Sequence, residues 1–388
     1  MILESSSSNL YTLGHMKVTV SRKSLSEGLT IASRFATSRA QLPILGNILF
    51  EAVNNKLNIS ATNLEMSVSL SIASKIEKEG KITVPAKVIY ELVSNLNSES
   101  VSIDVEKEQI FIKSENFSSR VSGINASDFP FIPNVLGKNA MNLDPVKVTS
   151  SIAKVIYSVS SDETRPTLTG ILLIFIKDNL SYVATDGFRL SKKDVPFKNT
   201  NPELKIILPK GVLVELERLT SDEKVLFEYK KDDKQVVFKI GEIVLSSRII
   251  EGEFPDFEKI IPRDSKLNLE VDKNDLMQGI KLASVFARDA SNVVRFLISE
   301  KLFTITAESS QVGSQENNID AKIKCSDKQI FGDGKEFIIA FNYKFIEDFL
   351  NSVDGNDLEI LLNDANSPGV FRDLEDKDFL HLIMPVRI

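Results

Sequence analysis

Few side chains in this chain have the types and spacing that chemistry requires. Thr185-Asp186-Gly187 offers a carboxylate for acid–base work. The same tripeptide also suits a turn, with Asp bonding its own backbone and Gly taking φ > 0. Asp232-Asp233 and the group Asp373, Glu375 and Asp376 stand in turn-like contexts with no evident catalytic partner. The two histidines, His15 and His381, are too few for most zinc-site or His-base chemistries. The single cysteine, Cys325, excludes a disulfide framework, reads as a structural thiol and points to a reducing cytoplasm. Gly-rich phosphate loops, a Gly-x-Ser-x-Gly elbow and His-Glu-x-x-His are all missing from the sequence. No nucleophile, acid or base has a supporting partner, so the sequence reads as a binding protein without cofactor or metal.

The elements that would carry a binding surface repeat along the chain. The segments ILFEAVNNKLNISATN (48–63), ILLIFIKDNLSYVATD (171–186) and FLISEKLFTITAES (296–309) each read as two strands joined by a polar turn. Their post-turn leucines, Leu57, Leu180 and Leu302, are spaced by 123 and 122 residues. An apolar helical stripe precedes each hairpin: Leu25, Leu29, Ala32, Ala36; Val148, Ile152, Val155, Val159; Leu276, Ile280, Ala283, Ala287. A second helical pattern follows each hairpin, at 84–96, 208–219 and 340–350, and further alternating strands come after. Hairpins imply antiparallel sheet with the helices segregated to one face, an α+β architecture in three tandem repeats. The boundaries read as 16–138, 139–265 and 266–388. Residues 1–15, Ser-rich and closing on Gly14-His15, are set aside as a tag or disordered extension.

The 388 residues carry a net charge of −7, with 42% apolar and 26% charged residues, an ordinary globular balance. No apolar run reaches the roughly 18–20 residues of a membrane span. The acidic total hides an asymmetry. The three first helices hold Arg22, Lys23, Arg34, Arg39, Lys147, Lys154, Lys281 and Arg288 against only Glu27 and Asp275. Such a surface suits phosphate backbones without reading sequence, although ordinary solvated helix faces explain the counts as well. Few aromatics lie among these residues, so base stacking is not supported.

LPILGN (42–47), TNLEM (62–66), ATDGFRLS (184–191), EGEFPDF (251–257) and IMPVRI (383–388), in this order and on a threefold repeat, resemble the bacterial sliding clamps, the beta subunits of DNA polymerase III. The resemblance covers 16–388. It implies the clamp fold: two protomers join head to tail in a ring, with helices lining a central channel and sheets outside. It implies a processivity factor, without catalysis of its own, that encircles double-stranded DNA and tethers the replicative polymerase. The implied partners are the DNA polymerase III alpha subunit, the clamp loader, other polymerases and repair proteins carrying short clamp-binding peptides, and a second copy of the chain. Arg39, Lys87, Arg165 and Lys210 match DNA-facing positions. Leu168, Thr185, Gly187, Phe188, Arg189, Leu190, Pro255, Ile260, Pro368, Leu382, Met384, Pro385, Val386 and Arg387 match the peptide pocket, and Val121, Val285 and Phe286 match the protomer interface. The chain departs from the family at Pro166-Thr167, where aromatics beside DNA are frequent, and at Phe188, where His is frequent. The rival readings are an enzyme on a repeated scaffold, which needs a polar cleft of convergent titratable groups, and a monomeric scaffold that binds proteins only.

Overall fold

Alternating apolar residues set the strands. In His15–Ser21, Met16, Val18 and Val20 are buried while their neighbours face outward. The computed structural model describes residues 15–37, 42–138, 140–198 and 202–387. Arg39 lies outside the described residues. The first described strand starts at His15, which the sequence reading sets aside and which pairs with Glu106.

Among the described residues six helices recur in pairs: α1 (Arg22–Ala32), α2 (Ala86–Ser94), α3 (Pro145–Val155), α4 (Lys210–Leu219), α5 (Lys273–Ala287) and α6 (Tyr343–Ser352). Asp272 caps α5 by accepting from the Asn274 and Asp275 amides, and Asn342 caps α6 through Lys344. Small residues stand at one position of the first helix in every repeat: Gly28, Ser151 and Gly279. A Cβ at Gly28 would lie 2.8 Å from Leu70 Cδ1, and one at Gly279 would lie 2.6 Å from Ile319 Cδ1. At both glycines the helix lies so close to its sheet that a Cβ would have to displace the end of a facing side chain. Ser151 fills the middle copy, buried, with its hydroxyl unpaired among the described residues.

The chain forms two compact units. The first comprises Met1–Pro145 with Arg218–Arg248, and the second Val146–Glu217 with Ile249–Ile388. In the first unit, all pairs are antiparallel and one sheet runs Phe117–Ser122, Gln109–Ser114, Ser100–Glu106, His15–Ser21, Met66–Lys78, Ile243–Arg248, Gln235–Ile240, Val225–Lys230, Met141–Leu143. The hairpin Asn47–Val53 and Lys56–Thr62, with Gly80–Pro85, branches from it. The pairing of Met66–Lys78 with Ile243–Arg248 carries strands of the middle repeat into this unit. In the second unit, a nine-stranded sheet runs Leu204–Pro209, Gly170–Ile176, Asn179–Thr185, Arg189–Pro196, Phe379–Ile383, Gly369–Asp373, Asp357–Leu362, Leu267–Asp272, Ala321–Cys325. A separate four-stranded sheet runs Gly313–Ile319, Phe303–Ser309, Val293–Ile298, Phe337–Asn342. The main core of this unit stacks Phe296, Phe303, Phe341, Phe349, Phe371 and Phe379 with aliphatic residues of α5 and α6.

Candidate functional site

In the second unit the strand Asn179–Thr185 ends in a turn that reverses into Arg189–Pro196. Thr185 Oγ1 donates to the Arg189 carbonyl at 2.6 Å and accepts from the Gly187 amide at 3.1 Å. Asp186 Oδ1 accepts from the amides of Phe188 and Arg189. Gly187 sits at φ +94. The carboxylate is therefore spent on its own backbone, and the turn reading of this tripeptide stands.

The turn holds Phe188 out, 60% exposed, while its carbonyl accepts from the Met384 amide at 2.8 Å. Leu190 pairs with Leu382 across the sheet. Leu190 and Leu382 join Leu172, Val183, Ile207, Phe257 and Val370 in one apolar cluster, against which Phe254, Ile250 and Met384 pack. Ile260 lies nearby in sequence and is 43% exposed, and Pro255 is exposed. Leu168 is buried at the end of the 3-10 helix Pro166–Leu168, and its carbonyl accepts from Ser160. Pro368 and Pro385 are half-buried. Val386 donates its amide to Ala340, and Val386 and Arg387 line a different cavity of about 370 Å³ with Val293, Arg295 and Glu308. The structure thus packs the adaptable thioether of Met384 over the buried pair Leu190 and Leu382, and joins Phe188 to Met384 through the backbone. It turns the last residues of the set toward another surface.

Arg189 is mostly buried and bonded within the protein. Its guanidinium donates to Asp186 at 3.1 Å, to Asp348 at 2.5 Å and to the Tyr157 carbonyl at 2.5 Å, and it lies 4.5 Å over the Phe345 ring. Beneath it is a polar cluster that the sequence did not reveal. His381 Nδ1 lies 2.8 Å from Ser191 Oγ and 3.4 Å from Tyr157 OH, Ser191 reaches Ser158 at 2.8 Å, and Ser352 donates to Tyr157 OH at 3.2 Å. His381 also stacks on Phe349. Burial, aided by the Arg189 charge, pushes the His381 imidazole down to about 3, and burial pushes the Tyr157 phenol up to about 12. Both groups are neutral around pH 7.

The basic candidates fall into three classes. Lys87 on α2 is 88% exposed and 4.0 Å from Glu91, and Lys210 is exposed at the start of α4. Arg165 is half-exposed, but it pairs with Asp162 at 3.0 Å and donates to the Asp186 carbonyl, so it also braces the groove turn. Lys154, counted above as helix surface charge, is buried. It and Lys193 each pair with Asp376 at 2.5 Å. Burial works against the Asp376 charge, yet the hydrogen bonds from Lys154 and Lys193 outweigh it and hold the carboxyl below its usual range. Asp373 caps the amides of Gly355 and Glu375. Among the described residues no three His, Cys, Asp or Glu side chains gather as metal ligands, and no helix is long and apolar enough to cross a membrane.

Val121 lies in the outermost strand of the first unit's sheet, Phe117–Ser122, with its side chain 8% exposed. Val285 is 56% exposed on α5, and Phe286 packs partly into the second unit's core. Leu282, one turn before Val285 and 47% exposed, extends this apolar strip.

Comparison with known proteins shows the family and the fold. Domain models of the DNA polymerase III beta subunit match in order: the N-terminal domain over 16–133, the central domain over 142–256 and the C-terminal domain over 258–387. A beta sliding clamp of Synechocystis is 29% identical, across 96% of this chain and all of that protein. The Bacillus subtilis DNA polymerase sliding clamp superimposes with a TM-score of 0.90 at 26% identity, covering 96% of this chain and all of that one. A Pseudomonas aeruginosa sliding clamp bound to griselimycin shares the fold, with a TM-score of 0.87 at 23% identity over 97% of this chain and all of that one.

Proposed function

The chain belongs to the DNA polymerase III beta subunit family and acts as a sliding clamp in DNA replication; from that premise we propose how it does so. Two copies join head to tail and close around duplex DNA. The outermost strand Phe117–Ser122 of one copy meets the α5 surface bearing Val285 and Phe286 on the other, so that this strand edge is covered. The chain contributes no catalysis. It retains the polymerase by topology and by raising its effective concentration.

Lys87, Lys210, Arg165 and Arg39 supply non-specific attraction to the duplex. Contacts of this kind are few and salt-sensitive, which permits sliding. The surface that Phe188 and Met384 present over the buried Leu190 and Leu382 receives short apolar peptides of the DNA polymerase III alpha subunit, the clamp loader, and other polymerases and repair proteins. The observation that carries this reading is the match of all three clamp domains, in order, along nearly the whole chain. The work takes place in the bacterial cytoplasm, on loaded primer–template junctions.

The test is retention on nicked circular DNA after loading, with the same DNA then linearised. The expected result is release on linearisation at constant salt. Equal retention on both forms would refute topological linkage.

A further inference from the structure

The cluster under the groove is polar where the fold does not ask it to be. The first repeat places equivalent backbone 123 residues earlier: the Thr37 amide donates to the Leu45 carbonyl at 2.9 Å, as Ser160 does to Leu168. Strand register continues the match, because Val68 pairs with Leu245 as Ser191 pairs with His381. The positions occupied by Ser158, Ser191 and His381 in the second unit are therefore Phe35, Val68 and Leu245 in the first. All three of those are buried and apolar. An apolar core of the usual kind satisfies this architecture. Burying hydroxyls and an imidazole instead costs desolvation that their mutual hydrogen bonds only partly return.

What the polar version adds is a connection. Tyr157 follows α3, His381 directly precedes Leu382, and Ser352, Phe349 and Asp348 lie on α6. Tyr157 OH holds Ser352 while its carbonyl holds Arg189, and Arg189 holds both Asp348 and the turn carboxylate Asp186. The groove wall and α6 are thus joined through one set of directional bonds.

We propose that Tyr157 and His381 are positioning residues of the groove: without touching the peptide, they fix α6 and Arg189 and so preform the surface that Phe188 and Met384 present over the buried Leu190 and Leu382. This rests on the reading of that surface as the peptide site. Preformed walls bind more tightly because less freedom is lost on binding.

Griselimycin, seen bound to the Pseudomonas clamp, is the probe, measured by surface plasmon resonance on the full chain. The His381→Phe variant keeps the ring and removes the hydrogen bond, and griselimycin is expected to bind it about tenfold more weakly. His381→Asn restores an acceptor near the Nδ1 position and should recover much of that loss. A purely structural role would instead rank the variants by lost ring packing, with Asn the worse. The unmodified chain supplies a second readout that needs no variant. It has only two histidines, so the 15N resonances of His381 can be followed alone beside those of His15. They should move when griselimycin saturates the groove. Binding to folded His381→Phe within twofold of the parent, or unmoved His381 resonances at saturation, would overturn the inference. Failure of the unmodified chain to bind griselimycin would overturn the groove reading itself, and this inference with it.

Discussion

The turn Thr62–Met66 in the first unit and the turn Thr185–Arg189 in the second share one backbone frame and differ in nearly all their chemistry. Thr62 Oγ1 donates to the Met66 carbonyl and accepts from the Leu64 amide, as Thr185 does with Arg189 and Gly187. Asn63 takes the amides of Glu65 and Met66, as Asp186 takes those of Phe188 and Arg189. Arg248 donates to the Glu65 carbonyl at 2.9 Å, where Met384 donates to Phe188 at 2.8 Å. Yet the first unit has Glu65, Arg248 and Ser67 where the second has Phe188, Met384 and Leu190. The sheet face beyond follows suit. Leu172, Ile174 and Val183 pack under Phe254 and Phe257, whereas Leu49, Glu51 and Ser60 line an open polar cavity of about 490 Å³ beneath Phe129 and Ile132. The frame belongs to the repeat, and the peptide-binding chemistry belongs to one copy of it.

The sharpest contrast is ionic. Lys193 and Lys154 meet Asp376 in the second unit, while Leu70 occupies the position of Lys193 in the first. Asp376→Asn leaves the mostly buried Lys193 ammonium without its carboxylate and Lys154 with only the exposed Asp354 at 3.3 Å, and should cost about 3 kcal/mol in urea unfolding, since removing one partner leaves buried charge uncompensated. Because the folded Asp376 carboxyl is held below its usual range, the contribution is present above about pH 4 and fades as pH falls through the folded value. The Asn variant should therefore lose this part of the acid limb. A variant as stable as the parent would show that the cluster is no more than a substitute for Leu70-type packing.

Next in size is the groove itself. Met384→Asp places a carboxylate in the apolar wall and should weaken griselimycin about a hundredfold, or ~2.7 kcal/mol. Arg248→Asp at the matching position of the first unit should change it less than about twofold. Comparable losses at both sites would dissolve the distinction between the two turns.

His381 and its counterpart Leu245 give a third contrast, read by pH. The folded imidazole sits at about 3, below the ordinary value, so stability from keeping it neutral is complete above about pH 6.5 and erodes as pH falls. By pH 5 the loss should be about 2 kcal/mol. It should vanish in His381→Leu, which copies the first unit, when stability is followed from pH 7 to 5.

Much of this was legible beforehand. The hairpins announced themselves through alternation and a 123-residue spacing, and the turn through Asp186-Gly187, because both signals are local. Lys154 was not legible. Its partners lie more than 190 residues away, and a lysine on a helix reads as surface charge until they are seen. The same holds for the pairing of Met66–Lys78 with Ile243–Arg248, which draws strands of the middle repeat into the first unit. Arg189 matched a pocket position by motif, but nothing local told that three of its donors are engaged by Asp186, Asp348 and Tyr157.

The smallest expected effects test the frame alone. Gly187 at φ +94 has a residue suited to left-handed backbone, while Leu64 holds the same place at φ +77 with a full side chain. Gly187→Ala should cost about 1–2 kcal/mol, mostly as backbone strain, because the neighbour nearest its Cβ is the flexible end of Arg165 at 3.0 Å. The reverse experiment is Leu64→Asn. Asn tolerates the left-handed region, and Leu64 is 48% exposed, so little burial is lost. Thermal unfolding should show a gain of about 0.5 kcal/mol. A loss of that size would mean that Leu64 contributes packing which outweighs its strain, and that the first turn is maintained for a contact of its own.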